Sequence, residues 1–253
     1  MTGQTYDPRN GAMIVTGASS GIGAAIVRRL AAAGRDVVAV ARRADRLAEL
    51  AAETGCRTAA LDIRDTAKVG ALVAEVRPSV IVNNAGVAHG MAGLTATGEA
   101  DIRDAIDINV IAPLHLIRAA LPIMKEAGGG HIITLGSISG LYPLVSALYC
   151  ASKGAMHRAT QTLRMEVRGT GIRVSEIAPG RTESELFDVA NVDAAARERD
   201  RALRADVDIL TPDDIASAVQ FALDAPLHMN VGLIELTPTE QAIGGATFTP
   251  YRG

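Results

Sequence analysis

Tyr149 and Lys153 form the pair of side chains in this sequence best suited to exchange a proton. They are four residues apart at the start of a predicted helix, so both project from one face of it. A free tyrosine has a pKa of about 10, and a lysine ammonium one turn away is expected to lower that pKa. Taken alone, such a pair is more often found on a surface, so the interpretation depends on its neighbours.

Two further polar residues are expected to join this pair. Ser137 follows the fifth predicted strand, from which a hydroxyl can reach the top of a sheet and hold a substrate carbonyl. Asn109 lies in a long helical stretch and could anchor a water that links Lys153 to solvent. Ser139 competes with Ser137 for its role, and we interpret Ser139 as structural. The predicted catalytic set is Asn109, Ser137, Tyr149 and Lys153.

A glycine-rich turn, Thr16–Gly23, follows the first predicted strand and opens a helix. Gly17 permits the tight exit from the strand, Gly21 lets the backbone approach a pyrophosphate, and Gly23 lets the helix lie close to the sheet. A turn with no ligand is the alternative, and the position between a strand and a helix argues against it. The residues predicted to bind a dinucleotide here are Gly17, Ser19, Ser20, Gly21 and Ile22.

The end of the second strand indicates which dinucleotide fits. An acidic residue there favours NAD, because it accepts hydrogen bonds from the ribose 2′-hydroxyl. This chain has Ala41 followed by Arg42 and Arg43, and a guanidinium pairs well with a 2′-phosphate. We therefore predict NADP(H), although both arginines could instead be solvated charges at a helix start.

Short polar residues after the third and fourth strands complete the predicted cofactor site. Asp62 could accept a hydrogen bond from the adenine amino group, and the Asn83–Gly86 segment could lie near the adenosine ribose. Each could equally be turn chemistry. The site is predicted to include Asp62, Ile63, Asn84, Ala85 and Gly86.

Apolar runs of strand length alternate with helical patterns along nearly the whole chain. The predicted strands are Ala12–Thr16, Asp36–Ala41, Thr58–Leu61, Val80–Asn83, His131–Leu135, Ile172–Ile177 and Leu233–Leu236. The predicted helices run from the glycine turn to about Ala33, then over Arg43–Glu53, Thr66–Val76, Glu99–Ala127, Tyr149–Arg168 and Pro212–Asp224. This alternation predicts one α/β domain, residues 1–253, with a doubly wound parallel sheet of about seven strands and helices on both faces, a Rossmann-type fold.

Composition excludes several classes of protein. Of the 253 residues, 48% are hydrophobic and 21% are charged, which is enough apolar material for a large core. Charges of both signs are mixed and sum to −3, which argues against a nucleic-acid partner. No signal peptide or membrane span is expected. Cys56 and Cys150 lack metal-ligand spacing, so we predict no metal and a reducing, cytoplasmic location.

Taken together, the motifs resemble those of the classical short-chain dehydrogenase/reductase family. They are Thr16-Gly17-xxx-Gly21-x-Gly23, Asn83-Asn84-Ala85-Gly86, Asn109, Ser137, Tyr149-xxx-Lys153 and Pro179-Gly180, in family order from about Gly11 to Gln241. The resemblance implies the catalytic set above, with Tyr149 and Lys153 also touching the cofactor. It implies nicotinamide contacts from Pro179, Gly180, Thr182 and Ser184, where Ser184 replaces a threonine. It also implies a homotetramer or homodimer built through two long helices.

Three stretches are similar to the NADP-dependent 3-hydroxy acid and serine dehydrogenase group of that family. They are Asn83–Met91, Gly130–Gly136 and His228–Gly245. The likeness implies a small polar hydroxy acid, or a short aldehyde that carries an anionic group, as substrate. Ser137, Tyr142, Tyr149, Arg181 and His89 are the predicted substrate-binding residues.

The segment after the sixth strand departs from that group over Arg181–Phe187. Arg181 could bind an anionic substrate, or it could pair with Glu183 or Glu185 on a substrate lid at about 181–208. Two rival functions stay open: a general carbonyl or keto reductase of an apolar substrate, and a non-catalytic dinucleotide-binding protein. A basic residue in the pocket argues against the first rival, and the presence of Ser137, Tyr149 and Lys153 argues against the second.

Overall fold

The computed structural model describes residues 6–144, 146–186, 198, 207–242 and 248–249. Its centre is a seven-stranded sheet in the order β3-β2-β1-β4-β5-β6-β7, in which every neighbouring pair is parallel. The strands are β1 (Met13–Thr16), β2 (Val37–Ala41), β3 (Arg57–Ala60), β4 (Val80–Asn83), β5 (Gly130–Leu135), β6 (Ile172–Pro179) and β7 (Leu233–Leu236). The predicted Rossmann-type fold is confirmed, and the strand bounds differ from the predicted ones by two residues or fewer.

Burial follows from the position of each strand in the sheet. Strands β1, β2, β4, β5 and β6 are buried along their whole length, as expected for parallel strands covered on both faces. The edge strands β3 and β7 are largely exposed or half-buried. Continuous Val, Ile and Ala runs therefore mark the central strands.

Helices cover both faces of the sheet. They are α1 (Gly21–Ala32), α2 (Ala44–Thr54), α3 (Thr66–Val76), α4 (Glu99–Ile106), α5 (Ala112–Ala127), α6 (Ala147–Glu166) and α7 (Pro212–Asp224). One apolar cluster joins the sheet to α1, α2 and α7, and the other joins it to α3, α5 and α6. The strand order reverses between β1 and β4, so the crevice beyond their carboxyl ends is the expected ligand site.

The start of α6 depends on a hydroxyl cap. Ser146 accepts a hydrogen bond from the backbone N–H of Tyr149 at 3.2 Å, so the helix begins at Ala147, two residues before the predicted start. Tyr149 therefore lies in the first turn of α6, and Lys153 lies one turn further along the same face.

The stretch predicted as one helix over Glu99–Ala127 is divided in the structure. A π-helical segment, Asp107–Ile111, lies between α4 and α5 and carries Asn109. Pro113, in the first turn of α5, has no N–H to donate to the carbonyl of Asn109 four residues earlier.

By length and composition, the stretch 99–127 could cross a membrane, with a mean hydropathy of 1.4 in its most apolar window. Helix α5 nonetheless buries Leu116, Ile117, Ala120 and Met124 against the sheet and α3, as the core helix of a soluble protein also does. Most of the predicted lid, residues 187–197 and 199–206, and most of the C-terminal tail lie outside the described residues.

Candidate active site

A cavity of about 390 Å³ opens at the carboxyl ends of the central strands. Its volume is in the range of cofactor and small-molecule sites. Every residue predicted to contact the dinucleotide lies on its wall: Gly17, Ser19, Ser20, Gly21, Ile22, Arg42, Arg43, Asp62, Ile63, Asn84, Ala85, Gly86, Tyr149, Lys153, Pro179, Gly180, Thr182 and Ser184. One concave surface thus joins the glycine turn to the proposed acid–base pair.

The glycine turn requires glycine at two places. Gly17 has a φ of 67°, and a Cβ there would lie 2.8 Å from the Cα of Ala85. A Cβ on Gly23 would overlap the carbonyl oxygen of Gly17. The Asn84 side-chain amide donates to the carbonyls of Thr16 at 2.9 Å and Gly17 at 3.2 Å. The side chain of Asn84 therefore stabilises the turn, which is the alternative role that the sequence leaves open for it.

The N-terminus of α1 fits a phosphate group. Ser20 occupies the N-cap position but makes no side-chain cap, so the N–H groups of the first turn are not occupied by it. The Ser20 hydroxyl instead accepts a hydrogen bond from Arg43 at 2.6 Å. Uncapped amides and the helix dipole favour an anion at this end of the cavity.

Arg43 is the best-connected cation at the adenosine end of the cavity. Its guanidinium donates to the hydroxyls of Ser19 at 3.0 Å and Ser20 at 2.6 Å, and to the Glu185 carboxylate at 3.1 Å. Hydrogen bonding to Arg43 lowers the pKa of Glu185 below its usual value. β2 ends at the buried Ala41, and Arg42 and Arg43 follow directly on the cavity wall, where their contact with a 2′-phosphate stays a prediction.

Asp62 lies on the cavity wall beside its own partner. Its carboxylate accepts from the backbone N–H of Arg64 at 2.9 Å and from the guanidinium at 2.6 Å, and these bonds lower its pKa to about 2. Arg64 also donates to Asp104 at 2.6 Å. Asp62 is thus ionised and held at the place predicted for adenine, and its contact with adenine stays a prediction.

The predicted acid–base residues come together at the other end of the cavity. Tyr149 is 6% exposed and is hydrogen-bonded to Ser137. The Lys153 Nζ lies 5.9 Å from the Tyr149 ring centroid and donates to the Leu135 carbonyl at 2.8 Å. The backbone N–H of Ser139 donates a hydrogen bond to the Ser137 hydroxyl at 3.1 Å, and Ser139 does not line the cavity. Its structural interpretation agrees with this geometry.

Asn109 stands behind this group and outside the wall of the cavity. Its side chain accepts from the N–H of Val87 and donates to the Val87 carbonyl, both at 2.8 Å, and it also donates to the Ser152 hydroxyl at 3.0 Å. Asn109 therefore ties the loop after β4 to helix α6, one residue before Lys153. The water link predicted for Asn109 stays a prediction.

Comparison with known proteins agrees with this geometry. Residues 11–195 match the sequence model of a family described as short chain dehydrogenase. The chain is 37% identical over 242 residues to sulfoacetaldehyde reductase 2 of Chromohalobacter salexigens, covering 91% of this chain and 95% of that protein. It is 33% identical over 241 residues to the NADP-dependent 3-hydroxy acid dehydrogenase YdfG of Escherichia coli K12, covering 92% and 97% of the two chains.

A solved structure is also closely similar. The closed form of a serine dehydrogenase complexed with NADP⁺ superposes with a TM-score of 0.87 at 32% identity, covering 96% of this chain and all of that one. The chain belongs to the short-chain dehydrogenase/reductase family. It is a nicotinamide-dependent oxidoreductase that acts on alcohol groups, and it resembles the 3-hydroxy acid dehydrogenase group. The non-catalytic alternative is thereby set aside.

The protonation of this dehydrogenase/reductase differs from the sequence-based expectation in one respect. Burial raises the pKa of Tyr149 to about 12, and the hydrogen bond to Ser137 offsets only part of that rise. Burial also lowers the pKa of Lys153 to about 8. The sequence-based expectation of a lowered tyrosine pKa is therefore not met, because the loss of hydration on burial is the largest influence on that pKa.

The predicted substrate-binding residues separate into two groups in the reductase. Ser137, Tyr149 and His89 line the cavity, whereas Tyr142 and Arg181 are absent from its described wall. The Tyr142 hydroxyl lies 3.1 Å from the Glu235 carboxylate on β7 and is exposed there. The backbone of Arg181 is fixed by Gln241 at 2.9 Å and Leu210 at 3.1 Å.

His89 is held by acidic residues of α4. Its Nε2 lies 3.0 Å from Asp104, and its Nδ1 lies 3.7 Å from Asp101. Ile108, Ala88 and Leu186 line the same cavity and are apolar. His89 is therefore a polar group on a wall that also carries apolar side chains.

Glu185 and Leu186 are the main cavity residues that sequence reasoning missed. The sequence indicates Glu185 only as a possible partner for Arg181. In the structure its carboxylate bonds Arg43 and lies 3.7 Å from Arg46, both more than a hundred residues away in sequence. The Arg181–Leu186 segment has more carboxylates than cations, which indicates an ion pair with another part of the chain but does not identify the cation.

Proposed function

We propose that this reductase uses NADP(H) and transfers a hydride to or from a small polar hydroxy acid or a short aldehyde with an anionic group. One observation carries the proposal: a single cavity has Arg43 at the adenosine end and the Tyr149–Ser137 pair at the other. NADP⁺ in the similar serine dehydrogenase complex and the NADP-dependent relative support the cofactor.

The residues fit a dinucleotide that places its nicotinamide beside Tyr149. When bound, that ring supplies or accepts the hydride. The Ser137 and Tyr149 hydroxyls hold the substrate oxygen, and Tyr149 donates its proton to that oxygen during reduction. A pKa of about 12 keeps Tyr149 protonated at neutral pH, as a general acid requires. In oxidation, Tyr149 receives the proton instead.

Lys153 and Asn109 support that proton transfer. The Lys153 ammonium stands behind the Tyr149 ring and favours the phenolate that forms when the proton leaves. Lys153 also lies on the cavity wall, where its ammonium can hold the nicotinamide ribose. Asn109 fixes α6 through Ser152 and supports the water through which Lys153 is reprotonated.

The names of the relatives support the substrate class. They act on sulfoacetaldehyde and on 3-hydroxy acids, which are small and anionic. A general carbonyl reductase with an apolar substrate is the second candidate, because Ile108, Ala88 and Leu186 make part of the substrate end apolar. The polar side chains on this wall, Ser137, Tyr149 and His89, favour the first candidate.

We also propose a homodimer or homotetramer in the cytoplasm. Ile102 on α4, Ile111 in the π-helical segment and Leu114 on α5 are between 37% and 43% exposed, as expected of a helix face that meets another subunit. Both cysteines are free, which suits a reducing compartment.

A rate panel tests the proposal. Hydroxy acids, semialdehydes, sulfoacetaldehyde and apolar ketones are assayed with NADPH and NADH in parallel, using wild type and Arg43→Ala. We expect NADPH with small anionic aldehydes to be preferred, and Arg43→Ala to raise the Kd for NADPH about tenfold or more while changing NADH binding little. Arg28→Ala is the control, because Arg28 is an exposed α1 residue paired with Glu53.

Two outcomes contradict the proposal separately. A strong NADH preference in the wild type overturns the role of Arg43, whereas faster reduction of apolar ketones overturns the substrate class.

A further inference from the structure

Glu176 is a buried carboxylate for which the mechanism above has no use. It lies on β6 and is 2% exposed, and one of its oxygens, Oε2, is 2.7 Å from the Nδ1 of His157. The other oxygen, Oε1, is buried without a hydrogen-bond partner in the described structure. A buried charge with one unsatisfied oxygen is costly, so its position calls for a reason.

That carboxylate lies beneath the segment that carries the catalytic residues. A Cβ on Gly136 would overlap Oε1 of Glu176, so only glycine fits between them. Gly136 lies between two residues that hold the acid–base pair. The carbonyl of Leu135 accepts a hydrogen bond from Lys153, and Ser137 is hydrogen-bonded to Tyr149. The unsatisfied oxygen is therefore packed against the turn on which the acid–base group is built.

Helix α6 presents Lys153, His157 and Gln161 at successive turns of one face. The Nε2 of His157 lies 2.9 Å from the side-chain nitrogen of Gln161, which is exposed. These three side chains therefore form a row on α6 that runs from the buried Lys153 towards solvent.

The tautomer of His157 follows from its partners. The Arg158 guanidinium is only a donor, so the oxygen of Gln161, 2.7 Å from it, must accept that bond. The amide nitrogen of Gln161 then donates to Nε2 of His157. The proton of the neutral imidazole is consequently on Nδ1, and it is donated to Glu176.

We propose that Glu176 and His157 are positioning residues for Lys153, with the His157 bond fixing the Glu176 carboxylate against the turn whose Leu135 carbonyl accepts from the Lys153 ammonium. This inference rests on the proposed roles of Tyr149 and Lys153. The Glu176 charge raises the pKa of Lys153 and so opposes the effect of burial. Without it, Lys153 loses its proton at a lower pH.

Few other charges face this pair. Lys153 and His157 come from α6, and the paired residues on the neighbouring strands, Thr134 on β5 and Leu233 on β7, are uncharged. Arg173 lies on β6 itself, but its guanidinium donates to the carbonyls of Ala222 and Leu223 on α7. Arg164 of α6 packs against Gly232, whose carbonyl accepts from the Glu176 N–H, and is a further cation near this strand. Arg164→Gln therefore belongs in the test as a second charge variant.

The test is the pH profile of kcat/KM for aldehyde reduction between pH 5.5 and 10. The alkaline limb reports loss of the Lys153 proton. We expect Glu176→Gln to move that limb acidward by about one pH unit, which is about a tenfold loss at pH 8.5 with little change at pH 6. Glu166→Gln, at the exposed end of the same helix, is the matched control.

Variants of His157 separate this role from a structural one, and they remain informative if Glu176→Gln does not fold. His157→Leu removes the hydrogen bond that fixes the Glu176 carboxylate, so the limb is expected to move acidward. His157→Gln restores an N–H donor, so the limb returns towards the wild-type position. Arg164→Gln is expected to shift it much less.

The outcomes distinguish the two proposals. A wild type without reductase activity refutes the proposed function. The role of the pair is refuted if the wild type is active and Glu176→Gln leaves the alkaline limb unmoved. Where Glu176→Gln does not fold, an unmoved limb in His157→Leu refutes it. The role is also refuted if the alkaline limbs of His157→Leu and His157→Gln lie at the same pH.

Discussion

Glu185 and Arg43 form an ion pair at 3.1 Å across the adenosine end of the cavity. The same guanidinium is proposed to bind the 2′-phosphate of NADP(H), so a carboxylate and a phosphate compete for one cation. Both side chains are more than 40% exposed, so the pair is weak and can be displaced by the phosphate.

Removing the Glu185 charge is therefore expected to tighten NADPH binding. Glu185→Gln should lower the Kd for NADPH about threefold to fivefold and leave that for NADH unchanged, as measured by nicotinamide fluorescence. The difference should shrink at high salt. Glu183→Gln, an exposed carboxylate two residues earlier, is the control. An equal gain for both cofactors contradicts competition with the 2′-phosphate.

Tyr149→Phe is expected to lower kcat/KM by about a thousandfold, because the general acid is lost. The Kd for NADPH should change by less than about twofold. Tyr142→Phe is the matched control, since the Tyr142 hydroxyl bonds Glu235 away from the cavity wall. Full activity in Tyr149→Phe would end the assignment of the acid.

His131 should make the protein less stable in acid. Burial and the charge of Arg173 lower the pKa of His131 from 6.5 to about 3. Below pH 6.5 the unfolded chain binds this proton and the folded chain does not. The free energy of unfolding should therefore decrease as pH falls from about 6.5 towards 3, by up to about 1.4 kcal/mol per pH unit.

Urea unfolding at pH 5 and pH 7 measures that slope. His131→Gln should reduce the difference between the two pH values, although losing the 2.8 Å bond to Ser175 lowers stability at both. His228→Gln, at an exposed position, should leave the slope unchanged. A slope in His131→Gln equal to that of the wild type shows that His131 is not its source.

Ile111→Asp is expected to weaken subunit association. Ile111 and Leu114 are 43% and 42% exposed, and a charge in an apolar interface is costly to bury. Light scattering after gel filtration should show a shift to smaller species. Leu94→Asp, at a residue 58% exposed and apart from this helix face, is the control. A wild-type monomer, or no shift in Ile111→Asp, contradicts the interface.

Much of the fold was predictable because parallel strands buried on both faces have a distinctive composition. The bounds of β4, α3, α7 and β7 agree with the predicted ones residue for residue. The division of Glu99–Ala127 was not predicted, since periodicity does not reveal a π-helical segment. The π-helical segment lies just before Pro113, which has no N–H to donate to the carbonyl of Asn109.

The amino-acid sequence by itself predicted the acid–base pair and the residues that line the cavity. A four-residue spacing places Tyr149 and Lys153 on one face of any helix that contains both, and the glycine turn after β1 depends on local backbone geometry. Only the tertiary structure decided the protonation of these groups and the partners of the charges. Burial set the pKa of Tyr149 above its usual value, and long-range contacts paired Glu185 with Arg43 and Tyr142 with Glu235. Hydration and distance in space control these properties, and neither can be derived from spacing along the chain.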